Sequence, residues 1–222
     1  MRENTLEVRD LGRRPYRPVL ALQEKLVAER QAGSIPDTLL LVEHERVYTM
    51  GRNAKDENVL LSKAELGKQG IELVHIGRGG DVTYHGPGQL VGYPIINLLE
   101  RKRGIVAYVD GLEQVLIKVL ADFGIEGKTD RKNRGVWVGN TKVAAIGVRV
   151  TRFVTMHGFA LNVEADLSPY GGIIPCGIRD KGVTSLHLLA KGVTMAAVKE
   201  LVIKHFVDVF GYDGIEKSTV TR

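Results

Sequence analysis

Cys176 is the one cysteine of this chain, and it lies in Gly171-Gly172-Ile173-Ile174-Pro175-Cys176-Gly177. The flanking glycines and proline argue against the interior of a regular helix or strand, so a loop is expected there, able to offer the thiol to a substrate. A lone cysteine can equally be a small buried apolar residue. What would make it a nucleophile is a proton acceptor or cation nearby, because the thiolate is the reactive form. Lys142, His85 and His157 are the candidate bases.

Lys142 shares strand parity with Ala144, Ile146, Val148 and Val150. An unbroken strand would point it to the apolar face, where a lysine must neutralise or find a partner and so is expected to release its proton more readily than a free one. A bulge beside Gly139-Asn140 would instead turn it outward, or its stem would snorkel to water. The third feature is the stretch from Gly77 to Gly92, which holds six glycines. Its backbone N–H groups could hold an acyl carbonyl or oxyanion; the plainer reading is a tight loop joining two strands. It is not a dinucleotide fingerprint, because the third glycine position holds Val82. Nor is Gly127-Lys128-Thr129 a P-loop, since Asp122 stands where the first glycine is needed. No GxSxG elbow, CxxC or HExxH spacing occurs, and no metal site is expected.

The elements that must position these residues follow from periodicity and punctuation. A helix is expected over about Pro18 to Ala32, stopped by Gly33, and a strand over Leu39 to His44. Ser62-Lys63-Ala64-Glu65 has capping-box spacing, predicting a short helix before Gly70 and then a strand over Ile71 to Ile76. Gln89 to Leu98 reads as a strand. Val109, Leu112, Leu116, Val119 and Phe123 recur at helical spacing and stop at Gly124. Gly135–Val138 and 141–150 flank Gly139-Asn140 as a hairpin, and a last helix runs from about Thr194 to Phe210 before Gly211. The mixture predicts an α+β fold, a single domain over residues 1–222 with helices packed on a mixed or antiparallel sheet.

Composition narrows the class. One cysteine excludes an internal disulfide and fits a reducing cytoplasm, and no apolar run approaches the ~20 residues that span a bilayer, so a soluble cytoplasmic protein is expected. The formal charge is +5, with basic clusters at Arg101-Lys102-Arg103 and at Lys128, Arg131, Lys132 and Arg134. With aromatic residues at only 6% and none interleaved with the basic runs, solvated faces are favoured over a nucleic-acid surface.

In order along the chain, these segments resemble the lipoyl(octanoyl) transferases, the octanoyl-acyl-carrier-protein:protein octanoyltransferases. Arg78 to Gln89 matches that family's Arg-Gly-Gly run into His-Gly-Pro-Gly-Gln. Lys142 to Gly147, His157 to Asn162, Ile174 to Gly177 and Gly182 to Leu186 match its other segments. The resemblance implies transfer of an octanoyl group from acyl carrier protein to a lysine of lipoyl domains, in 2-oxoacid dehydrogenase complexes and the glycine cleavage H protein, with no cofactor and no ATP. It maps the acyl-thioester nucleophile to Cys176 and the lysine that lowers its pKa to Lys142. Substrate-binding segments map to Arg78, Gly79, Gly80, Asp81, Val82, Thr83, Tyr84 and His85, to Ala145, Ile146 and Gly147, and to Gly158, Phe159 and Ala160, with His157 in a supporting place. The implied fold is that of biotinyl and lipoyl protein ligases. An ATP-dependent lipoate or biotin ligase, a cysteine thioesterase, or a non-enzymatic module that binds acyl carrier protein remain as alternatives.

Overall fold

The computed structural model describes residues 4–174 and 182–219, so Cys176 lies outside the described residues. The chain opens with β1 (Thr5–Arg14), α1 (Tyr16–Gln31), β2 (Thr38–His44) and β3 (Val47–Met50). Next come α2 (Lys63–Lys68), β4 (Glu72–His75), β5 (Val82–His85), β6 (Gln89–Ile95) and α3 (Ile105–Asp122). The second half adds β7 (Lys128–Thr129), β8 (Gly135–Val138), β9 (Thr141–Thr151), β10 (Val154–Asn162) and β11 (Gly182–Val183). It closes with α4 (Leu186–Leu189), α5 (Met195–Phe210) and β12 (Gly214–Thr219).

The strands form two sheets. The larger runs β12-β1-β2-β6-β10-β9-β8-β7, parallel as far as β2 and antiparallel from there on. β11 pairs in parallel with the first residues of β9. The smaller sheet has the order β4-β3-β5. The fold is α+β on a mixed sheet, as the sequence predicts, and among the described residues no helix is long and apolar enough to cross a membrane.

β2 reads Thr-Leu-Leu-Leu-Val-Glu-His because it is covered on both sides. Leu39 and Leu41 join the core beneath α3 and α5, while Leu40 and Val42 face the core beneath α1. The smaller sheet stands on the α1 side, where Tyr16 packs with Val47 and Val74. Helix ends obey the local signals. The Ser62 hydroxyl accepts from Glu65 N while the Glu65 carboxylate accepts from Ser62 N, and Gly211 ends α5 with φ of 70°. α1 begins two residues earlier than expected, directly after Pro15.

Of the two readings open for Lys142, unbroken alternation or a bulge near Gly139-Asn140, β9 has the bulge. Ala144 pairs with Val136 but Lys142 pairs with Trp137, leaving Val143 as an extra residue, a bulge. Val143 and Ala144 both enter the α3/α5 core, and Ile146, Val148 and Val150 pack against it. The bulge therefore resets the parity: Lys142 shares the face of Trp137, with its Nζ 4.7 Å from the indole centroid, rather than the face of Ala144. That face is the one that looks towards the smaller sheet.

Candidate active site

A cleft enclosing about 770 Å³ of empty space, part of it open to solvent, lies between the two sheets. Its floor is a furrow of small residues. Gly158 pairs with Gly147 and Ala160 with Ala145, and alternate residues of a strand share a face, so the four line one stripe. Val91 and Tyr93 of β6 extend this floor, and Val82, Thr83 and His85 of β5 form the roof.

The Arg78–Asp81 segment straps the two sheets together. Gly79 N donates to Val148 O at 3.0 Å, and the Arg78, Gly80 and Asp81 carbonyls accept from Arg52, Asn53 and Gly51 N. A Cβ at Gly147 would sit 2.9 Å from Arg78 Cδ and 3.2 Å from Gly79 O, so only glycine lets the strap lie on β9. The buried Arg78 guanidinium donates to Thr49 O at 2.7 Å and to Thr49 Oγ1 at 3.0 Å. The open rack of N–H donors expected from the glycines is thus partly spent: besides Gly79, Val82 N goes to Asp81 Oδ1 and Gly88 N to Glu43 Oε2.

The histidines divide by environment. His85 bonds Gln89 Oε1 through Nδ1 at 2.7 Å and meets Thr49 Oγ1 through Nε2 at 3.3 Å. Burial, then the neighbouring His44 imidazole, pushes its pKa down to about 3. Gln89 continues the network to Asn162 Oδ1 at 2.9 Å, and Asn162 Nδ2 reaches Thr184 O at 2.9 Å. Both His85 nitrogens are thus engaged in this network. His44 is also held neutral, its pKa lowered to about 4 by burial, and bonds the Tyr93 hydroxyl at 2.8 Å. His157 differs: it is 2% exposed, yet neither ring nitrogen has a hydrogen-bond partner among the described residues. Burial, then Arg78 and Arg149, lowers its pKa to about 3.

At the other end of the cleft, Lys142 Nζ donates to Arg134 O at 3.3 Å over the Trp137 ring. Of the described residues flanking 175–181, Ile174 N donates to Asn58 O at 2.8 Å, and Val183 pairs with Lys142 itself.

Of the residues singled out from the sequence, Arg78, Gly80, Asp81, Val82, Thr83, His85, Lys142, Ala145, Ile146, Gly147, His157, Gly158, Phe159 and Ala160 all line this cleft. Gly79 is behind it, in the strap, and Tyr84 is packed edge-on against Tyr48 and Tyr170. Tyr16, Val91, Tyr93, Arg134, Ala144, Asn162, Tyr170 and Val183 complete the lining without having been named as site residues from the sequence. Asn162 was open to detection, since it continues the period of two through Gly158 and Ala160. Tyr16 was not, because it reaches the cleft from the start of a helix distant in sequence.

A mixed sheet covered by α3 and α5 on one face and by α1 and a second sheet on the other is a fold shared with lipoate and biotin protein ligases. A bi-partite lipoate protein ligase from Thermoplasma acidophilum superposes with a TM-score of 0.72 at 16% identity, over 99% of this chain and 88% of that one. A biotin protein ligase from Aquifex aeolicus gives a TM-score of 0.52 at 13% identity, over 94% of this chain and 69% of that one. Residues 15–207 match the family model described as the lipoyl protein ligase A/B catalytic domain. Among curated relatives, the octanoyltransferase of Alkaliphilus metalliredigens is 48% identical over 213 residues, covering 95% of this chain and 98% of the relative. That of Syntrophotalea carbinolica is 50% identical over 202 residues, covering 90% and 92%. The chain belongs to the lipoyl protein ligase A/B catalytic-domain family and, within it, to the octanoyltransferases. It is an acyltransferase.

Proposed function

We propose that this enzyme carries an octanoyl group from the pantetheine thioester of acyl carrier protein to a lysine amine of lipoyl domains, through a thioester on Cys176, as the first step of endogenous lipoate formation. The acceptors are the lipoyl domains of 2-oxoacid dehydrogenase complexes and the glycine cleavage H protein, and the reaction runs in the cytoplasm. The observation that carries this reading is the position of Lys142. It lines the cleft beside the small-residue furrow and pairs with β11, which begins six residues after Cys176.

In the first half-reaction the Lys142 amine takes the Cys176 proton, and the thiolate attacks the donor carbonyl. The resulting ammonium is held by the Trp137 face and the Arg134 carbonyl. The tetrahedral intermediate collapses with cleavage of the carbon–sulfur bond to pantetheine, whose sulfur takes the proton back from Lys142. In the second half the lipoyl-domain amine attacks the acyl-enzyme, its proton passes to Lys142, and the carbon–sulfur bond to Cys176 breaks as Lys142 hands that proton on to the sulfur. Thioester to amide is downhill, so no nucleotide takes part. Ala145, Ile146, Gly147, Gly158, Phe159 and Ala160 wall the acyl chain, and the Arg78–His85 segment covers it.

Intact-protein mass spectrometry after mixing with octanoyl-acyl carrier protein, without ATP, tests the reading. Wild type is expected to gain one octanoyl group and lose it to an added lipoyl domain. Cys176→Ser is expected to gain none, and Lys142→Ala to load about 10²- to 10⁴-fold more slowly. An adduct persisting in Cys176→Ser would remove the thioester from the mechanism, loss to water alone would make the protein a thioesterase, and loading only with ATP would make it a ligase.

A further inference from the structure

The geometry points to His157 as the stop that sets acyl-chain length, closing the inner end of the cleft just beyond the reach of an eight-carbon chain. This rests on the octanoyl-transfer reading above and adds to it a residue that determines specificity.

The distance comes from the strands themselves. Lys142 Nζ reaches Arg134 O, and the next residue, Gly135, pairs with Ala145, so the amine has been carried along β9 to the level of Ala145 and Ile146. His157 pairs with Val148. The interval is two to three residues, roughly 7–10 Å at ~3.4 Å per residue. An extended octanoyl chain, at ~1.3 Å per bond, spans roughly 9 Å. The furrow of Ala145, Ala160, Gly147 and Gly158 occupies that interval.

The chemistry of the end wall makes the limit sharp. His157 lines the cleft while both of its ring nitrogens are buried, one N–H donor and one bare nitrogen, with no partner among the described residues. A chain that ends short of the ring leaves these groups alone. One that is two or four carbons longer runs into a ring that is already packed in place, edge-on to Tyr93 at 6.4 Å between centroids, and must displace it. The ring is also held in place at a cost to the backbone. His157 has φ of 56° inside a strand, and its N–H donates to the fully buried Gln23 Oε1 of α1 at 2.9 Å. Strain of this kind persists where the surroundings enforce it, and it collects at functional sites. β10 makes room for it: paired with β6 only as far as Phe159, it returns to the chain beyond β6 at Val154, which bridges Asn97.

The test is the relative rate of acyl-enzyme formation from octanoyl-, decanoyl- and dodecanoyl-acyl carrier protein, read by mass spectrometry. Wild type is expected to favour octanoyl over dodecanoyl at least ~10-fold. His157→Gly accepts the left-handed φ without steric cost and removes the wall, so it is expected to move the optimum to ten or twelve carbons. His157→Asn, which also tolerates that φ but is shorter, is expected to fall between the two. A folded His157→Gly that keeps the wild-type ranking overturns the inference. So do equal wild-type rates for eight and twelve carbons, whatever the variants do. A wild type that loads no chain at all would instead fail at the octanoyl-transfer reading, taking the inference with it.

Discussion

Two buried polar clusters in this molecule are built on opposite rules. Asp37 is 4% exposed and fully engaged: Oδ1 accepts from Arg30 Nε at 2.8 Å and Asn97 N at 3.0 Å, Oδ2 from Arg101 Nε at 2.8 Å and the Tyr212 hydroxyl at 3.0 Å. Arg30 turns its other nitrogens to Glu100, and the Arg101 guanidinium lies 3.7 Å from the Tyr212 ring centroid. This knot ties the end of α1, the start of β2, the loop after β6 and the approach to β12. At the inner end of the cleft, by contrast, both His157 nitrogens and Gln23 Nε2 lack partners among the described residues. Buried polar groups are expensive unless bonded, so the completed set reads as architecture, whereas the incomplete one, of which His157 lines the cleft, is kept at a cost to stability.

The contrast is broken most severely by Asp37→Ala, which takes the buried acceptor from Arg101, the Tyr212 hydroxyl and Asn97 N and leaves Arg30 only its pair with Glu100. It is expected to cost about 3–5 kcal/mol of stability in denaturant titration, while octanoyl loading per folded molecule stays at the wild-type rate. A loss below about 1 kcal/mol would show that the knot is dispensable.

A smaller effect separates the clusters by pH. His44, His85 and His157 are held neutral in the fold, at about 4, 3 and 3, whereas an unfolded imidazole titrates near 6.5. Above pH 6.5 the stability tied to this neutrality is fully present. As pH falls from 6.5 towards 4 the unfolded chain takes up protons that the folded one refuses, and stability drops by up to ~1.4 kcal/mol per pH unit for each histidine. His44→Gln is expected to flatten the fall in melting temperature between pH 7 and 5 by about a third. A melting temperature that is level across that range in wild type would contradict the burial of these rings.

How far the sequence discloses this arrangement depends on how local each cause is. The capping box at Ser62, the stops at Gly124 and Gly211 and the hairpin around Gly139 are local, and each is where the residues predict. β1, β10 and β12 carry no such mark. β10 is broken in pattern by His157-Gly158, and β12, Gly-Ile-Glu-Lys-Ser-Thr, is a polar edge strand. Lys142 is the instructive case: the sequence points to it, but through a parity that the Val143 bulge cancels, and the same bulge delivers it to the cleft. One extra residue in a ladder reverses every side chain beyond it, and nothing in Thr-Lys-Val-Ala-Ala announces that residue. The reach of Tyr16, Tyr93 and His157 into one cavity is wholly tertiary.

The smallest effect asks whether backbone strain alone marks a functional position. His157 is not the only residue outside glycine with a left-handed φ; Arg152 and Phe153, at the turn between β9 and β10, have φ of 46° and 66°. Two consecutive left-handed residues suit a type I′ turn, for which Asn-Gly is the favoured pair. Phe153 is 58% exposed, and Val154 beyond it joins the α1 core. Here the strain is an accident of sequence at a surface turn. Arg152→Asn combined with Phe153→Gly is therefore expected to raise stability by about 1 kcal/mol and to leave the octanoyl-to-dodecanoyl ratio untouched. His157→Gly relieves the same kind of strain on the same hairpin but changes that ratio. If the turn variant also shifted the chain-length profile, strain in β10 rather than the imidazole would be setting the depth of the cleft.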